Sequence, residues 1–225
     1  MKESASIGTP IVLDIETVPD DPWLAATEAD WISALEPPAN YKNQDAIQRW
    51  VEGKVADRRA KASLSPLDGK VVAIAAALLW DDDGEDSLPV AWADHDEAEV
   101  LGHLSAHMRL VSHPIIAGWY VRIFDLPFLA ARYARHGIAA DWIPDPRDWR
   151  AVIEASDVLQ TGKLGAWLAR FGLPAKVGDG VDITTMSLPE IRDYCSNDVR
   201  VERALLRRLA PVFPSLRRSA PEVTR

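Results

Sequence analysis

Cysteine is nearly missing from this chain. Cys195 is the single one in 225 residues, which excludes an internal disulfide and a thiolate zinc site and fits a reducing compartment. Long apolar runs are missing too. The most hydrophobic stretch, Val71 to Trp80, is far too short for a membrane helix, and the opening MKESASIGTP lacks the apolar segment of a secretory leader. These absences predict a soluble, cytoplasmic protein with no membrane attachment. Positive charge is short as well: 25 Lys and Arg face 34 Asp and Glu, and the net charge of −9 argues against a surface that coats polyanions electrostatically. An acidic excess gathered in one cation-binding cluster would escape that argument, because bound cations invert the local field. The C-terminal stretch also runs the other way. Beyond Val199 stand Arg200, Arg203, Arg207, Arg208, Arg217, Arg218 and Arg225 against only Glu202 and Glu222. A basic edge is available there, and a solvated helix face would give the same run.

What is present is enough apolar material, 48% of residues, to bury the core of one domain with an elaboration. The expected division is a single domain over residues 1–211, a helical insertion over about 20–66 and an irregular basic tail over 212–225. Thr9 to Ile15, Lys70 to Trp80, Leu88 to Trp92 and His113 to Gly118 read as strands, with the acidic run Asp81 to Asp86 as a solvated hairpin turn. Helices are expected over Gln44 to Ala62, over Asp94 to Leu110 behind an Asp-x-x-Glu capping pattern, over Leu126 to His136 ahead of Gly137, and over Lys163 to Phe171 ahead of Gly172. The last helix is the clearest: Ser187-Leu188-Pro189-Glu190 forms a capping box with an early proline, and Ile191, Cys195 and Val199 mark an apolar stripe. Strands mixed with helices point to an α/β sheet domain.

Three groups of acids stand out. Asp14 and Glu16 end the strand Ile11-Val12-Leu13, and alternation puts both carboxylates on one face. A divalent cation would relieve their repulsion; a strand running out into the polar turn Thr17 to Asp20 is the plainer alternative. Tyr194 and Asp198 share a face of the last helix at i, i+4, at the border of the apolar stripe, where a tyrosine also serves simple packing. Asp125, in Phe124-Asp125-Leu126-Pro127-Phe128-Leu129, precedes a helix and also fits a plain N-cap. His103, His107 and His113 fall at no spacing that pairs them with these acids.

Taken in order, Asp-Ile-Glu-Thr (14–17), Phe-Asp-Leu-Pro-Phe-Leu (124–129) and Tyr-x-x-x-Asp (194–198) resemble the three exonuclease motifs of the DEDD superfamily, tyrosine subclass. More narrowly, the chain is similar to predicted exonucleases related to the proofreading domain of family B DNA polymerases. Ile-Glu-Thr-Val-Pro-Asp (15–20), Gly-Lys-Val-Val-Ala-Ile (69–74), Phe-Gly-Leu-Pro-Ala-Lys (171–176) and Asp-Tyr-Cys-Ser-Asn-Asp-Val (193–199) carry the likeness further, over roughly Ile11 to Leu209. Two departures are visible. Tyr120 stands in Gly118-Trp119-Tyr120 where the family often has an asparagine, and Asp193 stands where the histidine subclass would have its histidine.

The resemblance implies a ribonuclease H-like mixed sheet flanked by helices, with a helical insertion after the first strand. It implies two divalent cations, magnesium or manganese, on Asp14, Glu16, Asp125 and Asp198, with Tyr194 orienting the attacking water. The implied substrate is the 3′ end of single-stranded nucleic acid, DNA before RNA, cleaved 3′→5′ to mononucleotides. Thr17, Trp119, Tyr120 and Phe124 are candidates for substrate contact, the aromatics by stacking on a base or by core packing alone. Lys163 and Lys176 are candidates for a phosphate contact. Two readings remain beside this one: a non-catalytic nucleic-acid-binding module that keeps the fold, and an RNA-trimming exoribonuclease.

Overall fold

The computed structural model describes residues 8–80, 88–145, 148, 152–178 and 182–212. The expected hairpin turn at 81–86 and residues 213–225 of the expected tail lie outside the described residues. The strands are β1 (Thr9–Pro19), β2 (Gly69–Leu78), β3 (Val90–Ala93), β4 (Pro114–Gly118) and β5 (Val152–Glu154). The helices are α1 (Asp21–Ser33), α2 (Gln44–Lys61), α3 (Glu97–Met108), α4 (Asp125–His136), α5 (Ala155–Leu159), α6 (Leu164–Phe171) and α7 (Leu188–Leu209). The chain divides into two compact units, one of residues 1–16 and 71–225, the other Thr17–Lys70.

In the first unit the strands form one mixed sheet in the order β3-β2-β1-β4-β5. β1 pairs parallel with β4, Thr9 opposite Pro114 and Val12 opposite Ala117, β4 pairs parallel with β5, and β2 pairs antiparallel with β3. β1 is thus central, which is why its sequence is nearly continuous in apolar residues. Period two sorts its side chains. Ile11, Leu13 and Ile15 enter a core with Val71 and Ile74 of β2, Leu101 and Leu104 of α3, and Phe128 and Leu129 of α4. Each such side chain is worth roughly 2 kcal/mol of burial. The apolar face therefore anchors the strand while Asp14, on the other face, meets the Cys195 thiol of α7, 3.7 Å from its Oδ2.

The capping box at Ser187 forms as expected: Ser187 donates its backbone N–H and its hydroxyl to Glu190, at 2.8 and 2.6 Å. Gly137 and Gly172 end α4 and α6 in the left-handed conformation, with φ of 64° and 65°. Three expectations are corrected. The strand expected from Leu88 starts at Val90. β5 was not foreseen, since three residues carry no periodic signal. The Asp94-x-x-Glu97 capping pattern does not form: Asp96 caps α3 by accepting from Ala98 N–H, while Asp94 accepts from Asp96 N–H. Glu97 is instead buried, accepting from Val71 N–H at 2.7 Å and from the Arg132 guanidinium at 2.6–3.0 Å, with His136 Nε2 2.7 Å away. A buried acid with a bidentate partner is tied to its place, because losing either partner strands a charge.

The second unit is the helical insertion. Asp20 caps α1, and Asn43 caps α2 by accepting from Asp45 N–H. α2 buries no residue, while Leu24 of α1 and Ala62 just past α2 are buried, and Arg58 adds polar ties: it grips Asp68, donates to the Thr27 hydroxyl at 3.1 Å and lies 4.9 Å from the centroid of the Trp31 ring. Arg59 pairs with Glu28 at 2.7 Å. Among the described residues no helix is long and apolar enough to cross a membrane.

Candidate functional site

β1, α4 and α7 bring acids to one groove of about 490 Å³ in the first unit, lined by Asp14, Glu16, Asp125, Tyr194, Asp198 and also Glu202. Asp14 and Glu16 alternate onto the sheet face that α7 covers, and Asp198 and Glu202 sit one turn apart on α7. Asp125 is not the N-cap of α4. It is the first residue of the helix, almost fully buried, and its Oδ1 accepts from Ile15 N–H at 3.1 Å, tying the helix to β1.

So many carboxylates in one place resist ionisation. Burial first, then Glu16, Glu202, Asp125 and Asp198, hold Asp14 well above the usual carboxylate range. Burial and Asp198 push Glu16 up to about 8, with Lys176 opposing. Burial pushes Asp125 up to about 7 against the pull of the Ile15 N–H. Glu202 is raised well above its ordinary value by burial and by Asp125. The Cys195 thiol is raised too, by burial and by Asp14, so it stays a thiol. Its sulfur lies within 4.8 Å of ligand atoms of Asp14 and Glu16, but a neutral thiol is a poor partner for a hard cation.

Lys176 supplies countercharge. Its Nζ is 2.6 Å from Asp198 Oδ2, and although burial alone would lower it, that contact holds the ammonium above its usual range. The same Nζ lies 5.7 Å from the centroid of the Tyr194 ring. Tyr194 is raised by burial and by Asp198, and its hydroxyl donates to the Gly178 carbonyl at 3.1 Å. A phenol oxygen that donates once still accepts, so the groove side of this hydroxyl is an acceptor.

The groove's other wall is the turn after β4. Gly118 suits the close approach there, because a Cβ would sit 3.0 Å from the Leu13 carbonyl and 3.2 Å from Glu202 Oε2 and press on both. Tyr120 follows with φ of 61°, a left-handed conformation that suits glycine or asparagine and costs a tyrosine roughly 1–2 kcal/mol. Two buried acids hold the turn in place. Glu154 accepts from Tyr120 N–H at 2.8 Å and from Arg122 N–H at 3.1 Å, and Glu202 accepts from Trp119 N–H at 3.1 Å. The Trp119 and Tyr120 rings lie 5.7 Å apart, and they line both the acidic groove and a neighbouring one of about 540 Å³. Phe124 lines the acidic groove while packing on the core and on Phe128. Lys163 lines it from the start of α6. Thr17 belongs to the second unit, where its hydroxyl donates to the Ser63 carbonyl at 2.6 Å. His103 and His107 pack against Trp92.

Sequence reasoning missed Glu202 and Glu154. The i, i+4 spacing from Asp198 was the available signal for Glu202; Glu154 had none, since it ends the unforeseen β5.

No family model matches the chain, and no curated protein matches its sequence. Among solved structures, the family B DNA polymerase from the hyperthermophilic archaeon Pyrobaculum calidifontis is similar to it, with a TM-score of 0.57 at 14% identity over 91% of this chain and 25% of the polymerase. The fold is ribonuclease H-like. The chain spans about a quarter of that polymerase's length, and at this identity the likeness speaks for the α/β fold alone.

Proposed function

We propose that this chain is a divalent-metal-dependent 3′→5′ exonuclease that releases mononucleotides from single-stranded nucleic acid, DNA in preference to RNA. The observation that carries the reading is the convergence of Asp14, Glu16, Asp125 and Asp198 in one groove, where they raise one another's affinity for protons. The donor set fits hard divalent cations: it is all carboxylate oxygen, half-buried at Asp14 and Glu16 and buried at Asp125 and Asp198, and more negative than Lys176 can offset. Asp14, Glu16, Asp125 and Asp198 would hold magnesium or manganese, which when bound lowers the pKa of water and stabilises charge on a phosphate and its leaving oxygen. The likeness to a DNA polymerase supports nucleic acid as the substrate, together with the order of the three sequence motifs.

The chain's own residues have separable parts in this reaction. The Tyr194 hydroxyl, fixed by its bond to the Gly178 carbonyl, accepts a hydrogen bond from the attacking water and orients it. Its pKa is raised, so it does not take the proton itself. Lys176 stands beside Asp198 as a ready cation for a phosphate oxygen once the acids are neutralised. Trp119 and Tyr120 offer faces to a terminal base, and the Glu154 and Glu202 carboxylates keep that turn from moving.

The test is incubation with 3′-labelled oligonucleotides, single-stranded and duplex, DNA and RNA, with magnesium or manganese and with or without chelator. Release of labelled mononucleotide that chelator abolishes is the expected result. Internal cutting of a circular single strand, or tight chelator-insensitive binding without cleavage, would overturn it.

A further inference from the structure

The first unit carries another concavity, of about 370 Å³ and opposite in character. Arg200, Arg203, Arg207 and Arg208 of α7 line it together with Leu173 and Pro174, just past the end of α6. Spacings of i, i+3, i+7 and i+8 put the four arginines on one stripe of the helix. No Asp or Glu is among the described residues that line it. Glu202, the one acid in that stretch of α7, faces elsewhere: it lines the acidic groove and holds the Trp119 N–H. In a chain of net charge −9, this is a strong local segregation of charge.

The carbonyl end of α7 explains part of it. Arg207 and Arg208 lie in the last turn, where cations suit the helix dipole. Arg200 and Arg203 lie further in, and the dipole effect fades beyond one turn, so it does not account for them. Two of the side chains are also anchored. Arg207 Nε donates to the Leu79 carbonyl at 2.7 Å with its guanidinium 5.8 Å from the Trp80 ring centroid, and Arg200 donates to Asn197 Oδ1 at 2.8 Å. Arg203 is itself buried, so the exposed Arg200 and Arg208 are the guanidinium groups offered to a ligand, and their planar forks match phosphate oxygens.

We propose that this arginine groove is a second binding site, taking the phosphate groups of a nucleic-acid strand or of a free polyphosphate. It stands apart from the acidic groove and does not depend on cleavage there. The two are joined by one short loop: Leu173 and Pro174 line the arginine groove, and Lys176, two residues on, lines the acidic one.

The experiment is done in chelator, so that no metal bridges a phosphate to the acids. Binding of labelled oligothymidylate is followed by fluorescence anisotropy and binding of inorganic tripolyphosphate by thermal shift at matched ionic strength. Wild type is compared with Arg200→Gln/Arg208→Gln, which changes two exposed side chains, and with Arg109→Gln/Arg135→Gln, the same charge change just past the end of α3 and in the last turn of α4. The groove variant should bind the oligonucleotide about tenfold or more weakly, with a salt dependence shallower by roughly 1.4 in slope for two lost contacts to a single strand. The control should change less than about twofold. Competition by tripolyphosphate identifies a site for phosphate as such; oligonucleotide binding without it identifies the strand. Equal weakening in both variants, wild-type affinity in the groove variant, or no binding of either probe would overturn the proposal.

Discussion

Replacing Asp125 with asparagine separates the carboxylate's charge from its hydrogen bond. The asparagine amide would still offer an oxygen to the Ile15 N–H, which Asp125 accepts at 3.1 Å. An acid in the unfolded chain titrates near ~4, and each tenfold change in proton affinity is about 1.4 kcal/mol. With Asp125 pushed up to about 7, ionising it in the metal-free fold costs at most ~4 kcal/mol, a ceiling shared with the acids it repels. The sign follows: a raised pKa favours the fold most below about pH 4, and that contribution is lost as the pH climbs through about 7. Exchanging a charged acceptor for a neutral one gives back about 1 kcal/mol. Metal-free Asp125→Asn should therefore match wild type or fall slightly below it near about pH 4, and exceed it by roughly 1–3 kcal/mol near about pH 9. Thermal melts in chelator at the two pH values measure this. With magnesium, the same variant should degrade single-stranded DNA on the order of a hundredfold more slowly, having lost one preorganised electrostatic contact. A variant that is less stable than wild type at the alkaline pH would refute the repulsion argument. One that cleaves at the wild-type rate across a magnesium titration would leave Asp125 as a tie between β1 and α4 and nothing more.

Tyr194→Phe keeps the ring and removes the hydroxyl, so turnover should fall on the order of tenfold to a hundredfold while the melting temperature and the magnesium dependence barely move; unchanged turnover takes Tyr194 out of the reaction. Glu154→Gln puts an amide N–H where Glu154 now accepts from two backbone N–H groups at 2.8 and 3.1 Å, and should cost about 1–3 kcal/mol in thermal or denaturant unfolding. Unfolding at the wild-type midpoint would mean that the turn at Tyr120 keeps its left-handed backbone without that carboxylate.

The local chemistry of this protein was written in its sequence. β1 was legible because a central strand must be apolar on both faces, and the same alternation by itself put Asp14 and Glu16 together. The ends of α4, α6 and α7 were legible because glycine in a left-handed turn and a Ser-x-x-Glu box act within a few residues. What tertiary structure decided are the pairings across the chain. Glu97 looked like a cap and became the buried partner of Arg132, since a carboxylate follows the strongest available donor and that donor lies 35 residues away. Asp125 looked like a cap and became a bond to β1, 110 residues distant. Glu202 and Lys176 join the acidic groove from α7 and a loop, while Glu154 of β5 holds the turn at Tyr120, and how close these elements lie to β1 and α4 is encoded by no periodicity. The arginines after Val199 read equally as a solvated face, until folding put Leu173 and Pro174 opposite them and turned a helical stripe into a groove. Spacing along one element is fixed by its own geometry; distance between elements is set by how the whole chain packs.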